Sequence, residues 1–160
     1  HLFAYAGEDK HYTSGTKRVI ASVNGWKVNL QVCYDLRFPV WSRQQTFRDE
    51  KNNQAEYDLL AYVANWPAKR SHAWKTLLCA RAIENQCFVV GVNRFGVDAH
   101  GNHHSGDSML VNPLGEVLYH CAEREDVFTI TLTMDELNKT RAALPFLRDA
   151  DSFTIHHDEE

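Results

Sequence analysis

No apolar run in these 160 residues approaches the roughly 20 that a membrane-spanning helix requires. The opening HLFAYAGEDK also lacks the charged, apolar and small-residue regions of a signal peptide. The chain is therefore read as cytoplasmic, with no membrane partner. A basic stripe is missing too: 17 Lys and Arg and 21 Asp and Glu are scattered, for a formal charge of −4. That leaves nothing to follow a phosphate backbone, and nucleic acid is excluded as a partner. Cysteine is scarce and widely spaced. Cys33, Cys79, Cys87 and Cys121 show none of the close pairing of a zinc site or redox dithiol, so a reduced compartment is expected, with no metal and no cofactor. Cys79, Cys87 and Cys121 read as small buried hydrophobes. Repeats, low-complexity tracts and linkers are absent, and the length suits one domain.

Apolar and alternating runs occur at RVIASVNGWKVNLQVCY, YDLLAYVANW, QCFVVGVNRFG, DSMLVNPLGEVLYHC and DVFTITLT, separated by turn sequences such as Asn24-Gly25 and Asn112-Pro113-Leu114-Gly115. These predict strands. VWSRQQTFRDE, SHAWKTLLCARAIENQ and MDELNKTRAALP carry helical spacing. In the second, Trp74, Leu77, Leu78, Ala82 and Ile83 share a face, and Arg81 and Glu84 are placed to pair at i, i+3. Asp135 and Glu136 suit the first turn of the third, and Pro145 its end. Strands interleaved with helices, plus a hairpin around NPLG, give an α/β fold with a mixed sheet.

The segment WKVNLQV-CYDLRFPVWSRQQ reads as strand, sharp turn, helix, with Cys33 at the turn. A thiol there feels the positive end of the backbone dipole, and neighbouring amides can hold the oxyanion formed when a carbonyl or nitrile is attacked. Taken alone, a cysteine at a strand end is more often inert packing. A nucleophile also needs a proton acceptor. None of the nine histidines lies in a papain-like signature, so the sequence does not choose one; a carboxylate could serve instead, and so could a lysine that stabilises the thiolate. His100, His103 and His104 in HGNHHSG read as a glycine-rich turn rather than a metal site. Asp35 and Arg37 are expected to brace the turn through buried ion pairs.

Cys33-Tyr34-Asp35-Leu36-Arg37-Phe38-Pro39 resembles the nucleophile segment of the nitrilase superfamily of carbon-nitrogen hydrolases. The likeness extends in order through HLF, NWP at 65–67, ARAIENQCFVVGVNR and HSGDSMLVNPLGEVL. Within the superfamily it most resembles the omega-amidases, which hydrolyse the terminal amide of small 2-oxo acids such as 2-oxoglutaramate.

The resemblance implies that Cys33 attacks the amide carbon to give a thioester, that the backbone N–H of Tyr34 donates to the oxyanion, and that Glu8 orients the site. Asn65 and Trp66, at a strand end, are expected to wall the pocket, and Arg70 to clamp a substrate carboxylate. The family's general-base glutamate and its lysine have no counterpart here; Lys10 and Lys17 stand at the wrong positions. Residues 1–155 are accordingly expected to be the C-terminal part of a single hydrolase domain, an incomplete αββα sandwich, with 156–160 a polar tail. The missing N-terminal portion is expected as part of a longer protein or as a separate chain, and the 160 residues alone to be inactive. A homodimer and a small-molecule amide substrate are implied as partners. A non-catalytic nitrilase-like interaction domain, or a hydrolase of another amide or nitrile, is the alternative.

Overall fold

A computed structural model describes residues 1–45, 47–49 and 52–156. The remainder of the expected polar tail, 157–160, lies outside the described residues. The first hairpin forms where alternation and turn chemistry coincide: β1 (Val19–Val23) and β2 (Trp26–Val32) pair antiparallel across Asn24 and Gly25. Both turn residues have positive φ, 48° and 83°, the primed-turn geometry that Asn-Gly favours. Beyond β2 the chain makes a 3-10 turn over Cys33–Arg37 and one helical turn, α1 (Pro39–Ser42). The helix expected over 40–50 therefore stops at its first turn. From there the backbone forms a short hairpin of β3 (Phe47–Asp49) and β4 (Asn52–Gln54), while residues 46, 50 and 51 lie outside the described residues.

The main sheet continues through β5 (Leu59–Ala64), β6 (Phe88–Asn93), β7 (Phe95–Val97), β8 (His103–Val111) and β9 (Val117–Ala122). Its order is β1-β2-β5-β6-β8-β7, with β9 on β8. β2, β5 and β6 are parallel neighbours, and the other pairings are antiparallel. This is the mixed sheet that the interleaved pattern predicts. Residues 126–133, expected as a strand, have no ladder partner among the described residues; Val127 is 93% exposed.

One face of the sheet is covered by α2 (Ser71–Asn85), which buries Trp74, Leu78 and Ala82 against Leu60, Tyr62, Val89 and Met109. Leu77 packs at the margin of this core, whereas Ile83 points outward. Gly91 on β6 is what lets α2 lie so close: an added Cβ would fall 2.6 Å from Leu78 and 2.7 Å from Trp74. On the opposite face Leu30, Val32, Val63 and Val92 are 49%, 60%, 57% and 54% exposed. Those apolar side chains are the other half of the strand alternation.

Polar groups lock the helices. Arg141 of α3 (Met134–Ala143) donates to Asp58 at 2.9 Å and to the carbonyls of Gln86 and Tyr57, at the amino ends of β5 and β6. Near the other end, Asp107 has φ 55° beside a bulge in β8 that turns its carboxylate inward. It accepts hydrogen bonds from Ser71 and Ser105, both at 2.6 Å, and lies 2.7 Å from His120 Nε2 and 3.4 Å from Lys75 Nζ. Burial alone would raise this carboxyl, but the Ser105, Ser71 and His120 hydrogen bonds and the Lys75 ammonium outweigh it and hold the pKa at about 2. A carboxyl held down when folded stabilises the fold above its unfolded value, and that contribution is lost as pH falls from about 4 toward 2. Asp107→Asn is expected to cost about 1–3 kcal/mol at neutral pH and to flatten the acid dependence in that window. Chemical denaturation of both forms between about pH 2 and pH 7 checks this; equal stabilities at neutral pH contradict it.

Candidate active site

The parallel pairing of β2 with β5 sets Val32 opposite Val63, so both strands deliver their carboxyl ends to one rim. Cys33 follows directly, with φ 39°, a left-handed conformation that costs a non-glycine residue on the order of 1–2 kcal/mol. Local bonds hold the bend. Asp35 accepts the Val32 N–H at 2.9 Å, and Arg81, almost wholly buried on α2, donates to the Leu36 carbonyl at 2.7 Å. Arg81 also pairs with Glu84 at 3.0 Å, as the i, i+3 spacing predicts.

Cys33 opens on a cleft of about 620 Å³. Glu8, Tyr34, Asn65, Trp66 and Arg70 line the same cleft, so all six candidate site residues meet there. Glu8 sits on the 3-10 turn Glu8–Lys10, and its Oε2 accepts the Phe3 N–H at 2.8 Å. Phe3, in the HLF segment but given no role from the sequence, forms a wall: Tyr34 packs on it with ring centroids 4.9 Å apart, and the Arg70 guanidinium lies 5.5 Å above it. Trp66 is only 4% exposed. It belongs to the core and the pocket wall at once, with its indole N–H bonded to the Arg70 carbonyl at 2.9 Å.

The expected bracing of the turn by Asp35 and Arg37 takes another form. Asp35 faces His1, whose Nδ1 lies 2.8 Å away, while Arg37 is exposed on the cleft rim, 4.9 Å above the Trp66 ring. A second guanidinium therefore borders the cleft beside that of Arg70. Nothing in the spacing of the motif distinguishes these two outcomes. The histidines of the 100–104 turn diverge: His104 turns in toward Asp98 at 3.3 Å and His103 out to Glu123 at 3.1 Å.

The Cys33 thiol is pushed above its ordinary pKa. Burial is the main cause, opposed by a hydrogen bond from the Asn65 backbone N–H and by Arg70, and reinforced by Glu8 and Asp35. The bend alone does not make a thiolate here; a five-residue 3-10 turn supplies little dipole.

Residues 1–142 match the model of the carbon-nitrogen hydrolase family. The chain belongs to this family. Over 159 residues it is 48% identical to the omega-amidase YafV of Escherichia coli strain K12, covering 97% of this chain and 57% of that protein. It is 33% identical over 149 residues to the 2-oxoglutaramate amidase of Bacillus subtilis strain 168, covering 93% and 54%. Its fold matches XC1258 of Xanthomonas campestris, a carbon-nitrogen hydrolase superfamily protein solved with an arsenic adduct in its active site, with a TM-score of 0.93 and 46% identity over 98% of this chain and 58% of that one. The chain thus spans a little over half the length of these carbon-nitrogen hydrolase relatives, and its mixed sheet with α2 on one face is the superfamily's fold.

Because burial raises the Cys33 pKa, its alkylation by iodoacetamide in the 160-residue chain alone is expected to keep accelerating above about pH 8.5. Peptide-resolved mass spectrometry across the alkaline range measures this; a plateau already reached at neutral pH would contradict the electrostatics described.

Proposed function

We propose that the protein containing this chain is a cysteine-dependent amidase that releases ammonia from the terminal amide of a small 2-oxo acid of the 2-oxoglutaramate type. The observation that carries this reading is the convergence of Cys33, Glu8 and Arg70 on one cleft, in a family whose relatives include an omega-amidase and a 2-oxoglutaramate amidase. In this reading Cys33 Sγ attacks the amide carbon as its proton passes to a base. The Tyr34 backbone N–H donates to the oxyanion, the C–N bond breaks, and ammonia departs with a proton. Water then attacks the thioester carbon, the C–S bond breaks, the carboxylic acid is released and the Cys33 thiol regains its proton.

Glu8 orients the site, and Arg70 binds the remote carboxylate in a bidentate fork, with Asn65 and Trp66 walling the aliphatic stem. The general base and the lysine that the family resemblance implies have no counterpart in residues 1–160. We place them in a preceding portion of the same hydrolase domain, of which residues 1–155 form the C-terminal part. The raised Cys33 pKa supports this, since a nearby ammonium is what would bring the thiol down. The open apolar sheet face supports it as well, because an αββα sandwich covers that face with a second sheet. The resemblance further implies a homodimer, and four free cysteines suit the cytoplasm.

In the full-length protein, Cys33→Ser is expected to lower ammonia release from 2-oxoglutaramate by at least about three orders of magnitude. Unchanged release removes Cys33 as the nucleophile and sinks the proposal; no release from the unsubstituted full-length protein favours a non-catalytic interaction domain or a hydrolase of another amide or nitrile. Arg70→Ala is expected to raise KM by roughly 10- to 100-fold, with a smaller change in kcat, as for a charge-assisted contact to a part of the substrate that does not react. Steady-state kinetics separates the two parameters; an unaltered KM for 2-oxoglutaramate removes Arg70 from the carboxylate site.

A further inference from the structure

The ladder between β5 and β6 ends at the pair Ala64 and Asn93, with the Arg94 N–H donating to the Ala64 carbonyl at 3.0 Å. Past that bond, the next two residues of the β5 exit, Asn65 and Trp66, no longer have a strand to pair with. Trp66 is nonetheless buried, so its peptide groups need partners. The Asn93 carboxamide supplies them. Its Oδ1 accepts the Trp66 N–H at 2.7 Å, and its Nδ2 donates to the Trp66 carbonyl at 3.0 Å and to the Gly106 carbonyl at 2.6 Å. Asn93 is itself fixed, because its backbone N–H donates to Ser108 Oγ at 3.0 Å and Ser108 Oγ donates back to the Asn93 carbonyl at 3.3 Å. One buried side chain therefore ties the exit of β5 to β8.

The residue beside this clamp is Asn65, which lines the cleft together with Cys33 and Trp66, and whose backbone N–H acts on the thiol to lower its pKa. We propose that Asn93 is a positioning residue for Cys33: by gripping both peptide groups of Trp66 it holds the Asn65 N–H on the sulfur and the Trp66 ring in the cleft wall. Leucine or alanine at 93 removes all three bonds without adding charge, so the 65–66 peptide turns away and the thiolate loses a donor. The inference builds on Cys33 as the nucleophile, although its test does not require turnover.

The test follows iodoacetamide labelling of Cys33, Cys79, Cys87 and Cys121 in the full-length protein by peptide mass spectrometry, from about pH 7 to about pH 10.5. Asn93→Leu and Asn93→Ala are expected to shift the Cys33 profile to higher pH and to slow its labelling at about pH 8 by roughly 3- to 10-fold. Asn65→Pro, which deletes the N–H itself, should give the same slowing, and combining it with Asn93→Ala should add little. Cys87, wholly buried, reports global opening and should stay protected throughout. Cys33 profiles that superimpose on the unsubstituted one while Cys87 is protected overturn the inference, as do slowings that add in full. Where leucine exposes Cys87, the smaller alanine variant decides by the same profile; if Cys87 is labelled there too, Asn93 is a fold residue only and the inference falls. An unsubstituted Cys33 that labels no faster than Cys79 counts against the nucleophile reading, whereas a normal Cys33 with an unmoved Asn93 profile counts only against the clamp.

Discussion

Parallel pairing of β2 with β5, and of β5 with β6, carries the whole cleft. The register sets Val32 against Val63 and Ala64 against Asn93, so three strands stop at one rim and their next residues are Cys33, Asn65 and Arg94. Parallel strands need crossovers, and the one between β5 and β6 is α2, which returns across the sheet face and covers the core. Its first turn follows Arg70 at the cleft and its last residue lies near Gln86 at the far end, so a single element links the pocket to the opposite end of the sheet. A slip of one residue in either parallel pair would exchange buried Leu60 and Tyr62 with exposed Val63 and its neighbours, which hydrophobic burial forbids.

Buried polar side chains then convert this frame into a defined site. Asp107 and Arg81 are buried and Arg141 is half-buried, and each meets several partners in different elements. Deleting one member of such a set leaves the others desolvated and unpartnered, which is why their removal costs more than an ordinary surface bond. The strained bend at Cys33 persists because Asp35 and Arg81 hold it from two sides.

Electrostatics describes a cleft ready to hold an anion, with Arg70 and Arg37 bordering it, and a thiol that burial keeps protonated. Those two properties are complementary. The proposed amidase reading joins them, since it asks for a cation and a base beside the neutral thiol and for a second sheet over the bare apolar face.

Strand positions, the second and third helices and the cysteine motif were legible in the sequence, because alternation, helical spacing and turn residues act over short distances. So were Cys33, Glu8, Tyr34, Asn65, Trp66 and Arg70 as candidates, through a motif order that spans the chain. The early end of the first helix and the unpaired run at 126–133 were not, since local pattern says nothing about whether a neighbouring strand is there to pair with. The roles of Phe3, Arg37 and Asn93 escaped for a related reason: each acts through contacts with residues of other elements, distant in sequence, such as Tyr34 and Arg70 for Phe3 and Trp66 for Arg37 and Asn93. Local sequence pattern specifies which segments can be strand or helix and which residue types can do chemistry. Which of them share a rim follows from the fold, because that depends on strand register, and register is set by the packing of the whole sheet against α2.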